Sequence, residues 1–182
     1  MRTIVAMTGA SGIIYGVDFL KRCPGEKYLV ISDWGRAVLK METGLAPEDL
    51  TPHCNKIFSN KELAAPFSSG SNPFDYLVVH PCSISTLAKI AAGIADTLIT
   101  RAAEVALKER RRIILAVRET PLSSIALGNA LKVSQAGAIV MPISPPFYTQ
   151  PKSLEDTYRD FSNKILRLME VEVPGGWREE EL

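Results

Sequence analysis

The chain has 182 residues and a formal net charge of +1, from 21 basic and 20 acidic side chains, so no overall charge points to a nucleic acid partner. Hydrophobic residues make up 46% and charged residues 23%, which fits a protein with a sizeable buried core and a single domain over residues 1–182. Three cysteines without CxxC spacing argue against a disulfide framework or a thiolate zinc site, and only two histidines exclude a His-rich metal centre.

No charged leader opens the chain, and no apolar run approaches the roughly 18 residues that would span a membrane. A cytoplasmic protein without a membrane segment is expected. "TIVAM" at 3–7 reads as a first buried strand, and "TGASG" turns the chain into the helical spacing of "IIYGVDFLKR". "YLVIS" at 28–32 is a second strand, followed by the short helix "WGRAVLKMET". Residues 44–72 carry a weaker pattern, and "SSGSN" at 68–72 reads as a long connection or a lid, with composition favouring the connection. "YLVVHP" is the third strand, and "SISTLAKIAAG" a helix ended by Gly93. "TLITR" reads as a short element before the helical "AAEVALKER". "IILAV" and "AIVMP" are the last two strands, and "SLEDTYRDFSNKILRLMEV" is a final long helix before a short tail.

Nearly continuous apolar strands alternate with helices, which predicts an α/β fold with a mostly parallel sheet covered on both faces. Ligands in such folds meet the carboxyl ends of the strands. Those ends carry "TGASG", "IS", "HPCS", "RE" and "MPISPPFY". Gly9, Ala10 and Ser11 form either a tight strand–helix turn or an anion-binding turn, lacking both GxGxxG and the GK[ST] of a P-loop. Ser32 is a helix cap or a phosphate ligand, and "PCSIST" offers Ser83, Ser85 and Thr86 for the same two purposes. Cys82 reads as a buried thiol or a nucleophile. Arg101, Glu104 and Lys108 share a helix face, either as a solvated ion-pair surface or as a phosphate claw. Arg118 and Glu119 stand at a strand mouth before Pro121, as a structural ion pair or as cofactor contact and proton acceptor. The prolines of "SPPFYTQP" hold Tyr148 rigidly, either beside a ligand or against a neighbour.

"TGASGIIYG", "PCSISTLAKIAAG", "TRAAEVALKERR", "VRETPLSSIALGNALK" and "PISPPFYTQP", in that order, resemble the UbiX/Pad1-like flavin prenyltransferase family over roughly residues 2–169. The resemblance implies a Rossmann-like, flavodoxin-type three-layer fold and reduced FMN. It implies transfer of a dimethylallyl group from dimethylallyl monophosphate to the flavin, with bonds at N5 and C6, making prenylated FMN for UbiD-type decarboxylases. Gly9, Ala10, Ser11, Ser32, Ser83, Ile84, Ser85, Thr86 and Arg118 are then cofactor-binding residues. Arg101, Lys108, Glu119, Tyr148 and Lys164 face the prenyl phosphate, with Lys164 where the family commonly has arginine. Glu119, Glu42, Lys108 and Tyr148 carry catalytic roles, and Trp177 matches a C-terminal aromatic of some relatives. The family commonly builds dodecamers with sites at subunit interfaces. A wider flavoprotein group includes decarboxylases of cysteine-containing substrates with a catalytic histidine and a PASANT-like segment; here that region reads "HPCSIST". An FMN-dependent decarboxylase using His80 is therefore the rival expectation, and a non-enzymatic flavin-binding scaffold the third.

Overall fold

The computed structural model describes residues 1–174 and 176–178. Six strands alternate with helices: β1 (Arg2–Met7), α1 (Ile13–Arg22), β2 (Glu26–Ile31), α2 (Asp33–Thr43), β3 (Lys56–Ser59), β4 (Tyr76–Cys82), α3 (Ile84–Ala91), α4 (Leu98–Lys108), β5 (Arg112–Val117), α5 (Ser124–Gln135), β6 (Ile139–Pro142) and α6 (Leu154–Leu168). Every strand pairing is parallel, and the order across the sheet is β3-β2-β1-β4-β5-β6. This is the expected α/β, flavodoxin-like architecture.

Strand side chains alternate between two cores because the side-chain period is two. Ile4 and Ala6 of β1 join Leu77 and Val79 of β4 beneath α3, α4 and α5. Val5 and Met7 join Val78 and Ile114 beneath α1 and α6. With both faces covered, the strands read as continuous apolar runs. No helix among the described residues is long and apolar enough to cross a membrane.

The strand mouths and helix ends follow local chemistry. Ser32, Ser83, Ser123 and Ser153 each accept a hydrogen bond from a backbone amide of the helix they precede. Gly44, at φ +74°, closes α2. "TLITR" and "AAEVALKER" are not two elements but one helix, α4, capped by Thr97. The weak stretch 44–72 contains an edge strand, β3, which the sequence pattern does not reveal. Only four residues long, it buries Phe58 alone between exposed Lys56 and Ser59. The segment around "SSGSN" is tied down as a connection: Arg111 donates to the carbonyls of Gly70 and Asn72, and the Asn72 amide to that of Pro66.

α1 lies close on the sheet because Gly16 faces β4. A Cβ at Gly16 would stand 2.1 Å from the His80 carbonyl oxygen. That oxygen belongs to backbone and cannot yield cheaply. Gly16→Ala is expected to lower stability by about 1–3 kcal/mol, read as a reduced urea midpoint. A midpoint equal to wild type would refute the close approach.

Candidate active site

The strand order reverses between β1 and β4, so the loops after these strands diverge to opposite faces and leave a crevice. A cavity of about 530 Å³ occupies it. Gly9 follows β1 on its wall, Ser32 follows β2, Ser83, Ile84, Ser85 and Thr86 follow β4, and Glu119 follows β5. These residues lie far apart in the sequence and meet only because all the strands run parallel.

Thr8 holds the crevice closed at its base. Its buried hydroxyl donates to the Pro81 carbonyl at 2.8 Å and accepts from the Ser83 amide at 2.8 Å. Its own amide also donates to the Pro81 carbonyl, at 3.1 Å. Thr8 thus ties the end of β1 to the start of α3. Sequence reading passed over it, although it stands directly before the Gly9–Ala10–Ser11 turn.

Two helix N-termini open onto the cavity. The Ser32 hydroxyl accepts from the Gly35 amide at 3.0 Å, and the Ser83 hydroxyl from the Thr86 amide at 3.3 Å. Each serine therefore caps its helix, as one of its two expected readings has it, and also lines the cavity. The first two amides of α2 and α3 have no intrahelical acceptor and carry the positive end of the helix dipole. At α4 the corresponding amides are taken: Leu98 and Ile99 donate to the backbone and side-chain oxygens of Asn60. Further donors on the wall are the hydroxyls of Ser85, Thr86, Thr97 and Thr100 and the ammonium of Lys89, which pairs with Asp96 at 2.7 Å. A volume of this size with hydroxyl donors, one ammonium and two dipole ends suits a mononucleotide phosphate and an attached ring, which is the chemistry of FMN.

The N-terminus of α1 differs from the anion site expected there. The Glu42 carboxylate accepts from the Gly12 amide at 2.9 Å and the Ile13 amide at 3.1 Å. Glu42 thereby fills the position with the chain's own negative charge. Ala10 is almost buried and its amide bonds back to the Thr8 carbonyl, while Ser11 is exposed at the rim. Gly9 has a packing role as well, since a Cβ there would come within 2.4 Å of the Trp34 Cβ.

The Arg118–Glu119 ion pair does not form among the described residues. Arg118 is exposed and lies outside the cavity wall, its amide extending the strand pairing to the Cys82 carbonyl. Glu119 lines the cavity and accepts from the Thr120 amide at 3.0 Å, next to the cis Thr120–Pro121 bond. The Glu104–Lys108 pair is also absent. Glu104 binds Arg101 at 2.6 Å, and Lys108 binds Glu109. Arg101 reaches the Ser68 carbonyl, and Lys108 stands at the helix end that feeds the start of β5, so neither joins the crevice within one chain.

Tyr148 and Lys164 meet in a second cavity of about 240 Å³, between the proline-rich loop and α6. Tyr148 packs edge-on against Trp177, with ring centroids 5.2 Å apart. Trp177 therefore has a defined neighbour in Tyr148.

The remaining nucleophile and base expectations fail on burial. His80 is fully buried among Tyr15, Phe19 and Phe161, and desolvation pushes its imidazole down to about 3. Desolvation likewise pushes the buried Cys82 thiol up to about 12. His80 is thus a poor base away from the cavity wall, and Cys82 is inert.

Residues 1–161 match the Flavoprotein family. A flavin prenyltransferase UbiX of Thermoplasma acidophilum is 48% identical over 94% of this chain and 96% of its own. The structure of AnUbiX (PadA1) in complex with FMN and dimethylallyl pyrophosphate superposes with a TM-score of 0.91 and 42% identity, covering 97% of this chain and 98% of that one. A dodecameric FMN-dependent UbiX-like decarboxylase from Escherichia coli O157:H7 gives a TM-score of 0.93 at 38% identity, covering 97% and 99%.

Two measurements test this geometry. Thr8→Val keeps the shape but strands the Ser83 amide, and is expected to lower stability by about 1–3 kcal/mol, whereas Thr8→Ser stays near wild type. Equal stability of the valine and serine variants would remove the bridge. For His80, the unfolded ring takes a proton near 6.5 while the folded ring stays neutral down to about 3. Stability therefore falls as pH drops through that window, by up to about 1.4 kcal/mol per pH unit from this group. His80→Phe should flatten the acid limb of urea midpoints between about pH 6 and about pH 4. An unaltered slope would show that His80 does not titrate this way.

Proposed function

The chain belongs to the UbiX/PAD1 flavin prenyltransferases of the Flavoprotein family, and from that premise we propose that it transfers a dimethylallyl group from dimethylallyl monophosphate to reduced FMN. What carries the proposal is the crevice at the β1–β4 reversal, lined by the hydroxyl-rich "PCSIST" turn and Glu119, in a chain 48% identical to a flavin prenyltransferase. The burial of His80 disfavours the decarboxylase alternative, which needs that ring as a base.

Reduced FMN, when bound, supplies N5 and C6 as the atoms to which the dimethylallyl group becomes attached. Ser32, Ser83, Ser85 and Thr86 would hold it by their hydroxyls and by the dipole ends of α2 and α3, with Gly9 and Ile84 on the wall and Ala10, Ser11 and Arg118 beside it. The Tyr148 hydroxyl and the Lys164 ammonium stabilise the phosphate as the allylic C–O bond breaks and the electron pair leaves with its oxygen. Glu119, on the cavity wall, would accept the proton released on ring closure, either directly or through the released phosphate. Glu42 fixes the α1 turn beside this site.

Arg101 and Lys108 enter the reading through assembly. Neither lines the crevice of its own chain, although Arg101 directly follows Thr100 on its wall, and a neighbouring subunit can bring such cations to it. α5 leaves Ile125 76% and Leu131 60% exposed, an apolar face that association would cover. We read the protein as a homododecamer of single-domain chains, cytoplasmic, with sites completed at subunit interfaces and the product passed to a UbiD-type decarboxylase.

The test is anaerobic incubation with reduced FMN and dimethylallyl monophosphate, followed by mass analysis. The expected product is FMN heavier by one C5H8 unit; unchanged FMN at saturating substrate would refute the activity. Glu119→Gln should slow transfer by about 10²-fold or more while retaining FMN. Loss of FMN binding in that variant would assign Glu119 to cofactor retention instead.

A further inference from the structure

The cavity beneath Tyr148 holds a carboxylate as well as cations. Asp160 lines it, one helical turn before Lys164 on α6. Its side chain is only 11% exposed. Asp160 Oδ2 is buried and has no hydrogen-bond partner in the structure. Oδ1 has only a long 3.5 Å approach from Arg159, whose shorter pairing, 2.8 Å, is with Asp156. A buried carboxylate oxygen without a donor is unfavourable, so its presence in a cavity wall calls for an explanation.

Neither cation of the cavity supplies that donor. Asp160 and Lys164 have the i,i+4 order that favours a pair, yet Lys164 lies outside the ion pairs of this helix among the described residues. Arg167 is committed to the Pro174 carbonyl at 2.7 Å and the Val173 carbonyl at 3.3 Å. The cavity therefore offers Lys164 to an anion and Asp160 to a hydrogen donor, side by side. A carboxylate turns readily about its terminal bond, so either oxygen can face the occupant.

A phosphate monoester bearing one proton meets both demands. Its charged oxygens face Lys164, and its P–OH donates to Asp160. The fully ionised dianion has no O–H and sets like charges against each other. Resting on the reading that this cavity receives the prenyl phosphate, we propose that Asp160 is a specificity-determining residue that selects the singly protonated phosphate by accepting its P–OH hydrogen bond.

The charged and titratable groups facing Asp160 are Arg159, Lys164 and Arg167 along α6 and Tyr148 from the proline-rich loop. From α1, Tyr15 and Asp18 meet the neighbouring α6 residues Tyr158 and Ser162. β6 and the segment after it bring Met141 and Ser144, which carry no charge.

Calorimetric titration of dimethylallyl monophosphate into the protein with oxidised FMN tests this without turnover. A phosphate monoester loses its second proton near a pKa of about 6, so the monoanion falls roughly tenfold per pH unit above it. Wild-type Kd is expected to weaken by at least about tenfold between about pH 6.5 and about pH 8. In Asp160→Asn, whose amide donates to the dianion, that dependence should vanish or reverse. Lys164→Ala should weaken binding at both pH values. An unchanged pH slope in Asp160→Asn would overturn the proposal. So would wild-type binding that does not weaken with pH, or Lys164→Ala binding equal to wild type, which would place the phosphate elsewhere. Failure of prenyl transfer itself is read separately, by the mass of FMN, so the two readings fall independently.

Discussion

The site depends on one buried hydroxyl at the point where the sheet reverses. Parallel strands bring all their carboxyl ends to one edge, but β1 and β4 send their chains to opposite faces there. Nothing in strand pairing alone prevents the two loops from drifting apart. Thr8 joins them by donating to Pro81 and accepting from Ser83. The position of Ser83 then sets the start of α3, and with it the direction of that helix's free amides. Removing one hydroxyl would leave the fold's hydrophobic layers intact while loosening the wall that they position.

The polar groups around the crevice are mostly neutral, and each serves two purposes. Ser32 and Ser83 stabilise helix ends while presenting a hydroxyl to the cavity. This arrangement avoids burying a charge where no ligand is guaranteed, which would be unfavourable without a partner. Three charged side chains stand on the wall, Asp33, Lys89 and Glu119, of which Asp33 pairs with Lys61 and Lys89 with Asp96; Arg101 and Lys108 lie in local ion pairs, Lys164 in the second cavity and Arg118 at the surface. A chain built this way leaves few charges without a partner when its site is open.

Much of the fold was readable because buried parallel strands leave continuous apolar runs, and five of the six were visible that way. β3 escaped because a four-residue edge strand with one inward side chain has no period to detect. The crevice was readable from the small polar residues after the strands. Partner choice was not: Glu104 pairs with Arg101 rather than Lys108, and Glu42 reaches the α1 turn from a residue 30 positions away. Thr8 was hidden for a similar reason, since its two partners lie beyond residue 80 and a single threonine after a strand carries no pattern. Asp160 looked like one more charge on an amphipathic helix until the structure placed it in a cavity.

Burial also decides where proton chemistry can occur. The two side chains that most resemble catalytic groups in the sequence, His80 and Cys82, are the ones the fold silences by desolvation. Both lie on β4, whose last residues point into the packed layers before the chain emerges at Ser83. Glu119 and Asp160 lie instead on cavity walls, at a strand mouth and midway along α6. The same parallel sheet that makes strand interiors dry thus leaves carboxylates outside the strands as the acids within reach of a cavity. Arg118 and Glu119 illustrate the division at its boundary: the chain leaves β5, one side chain turns to the rim, and the other turns to the crevice.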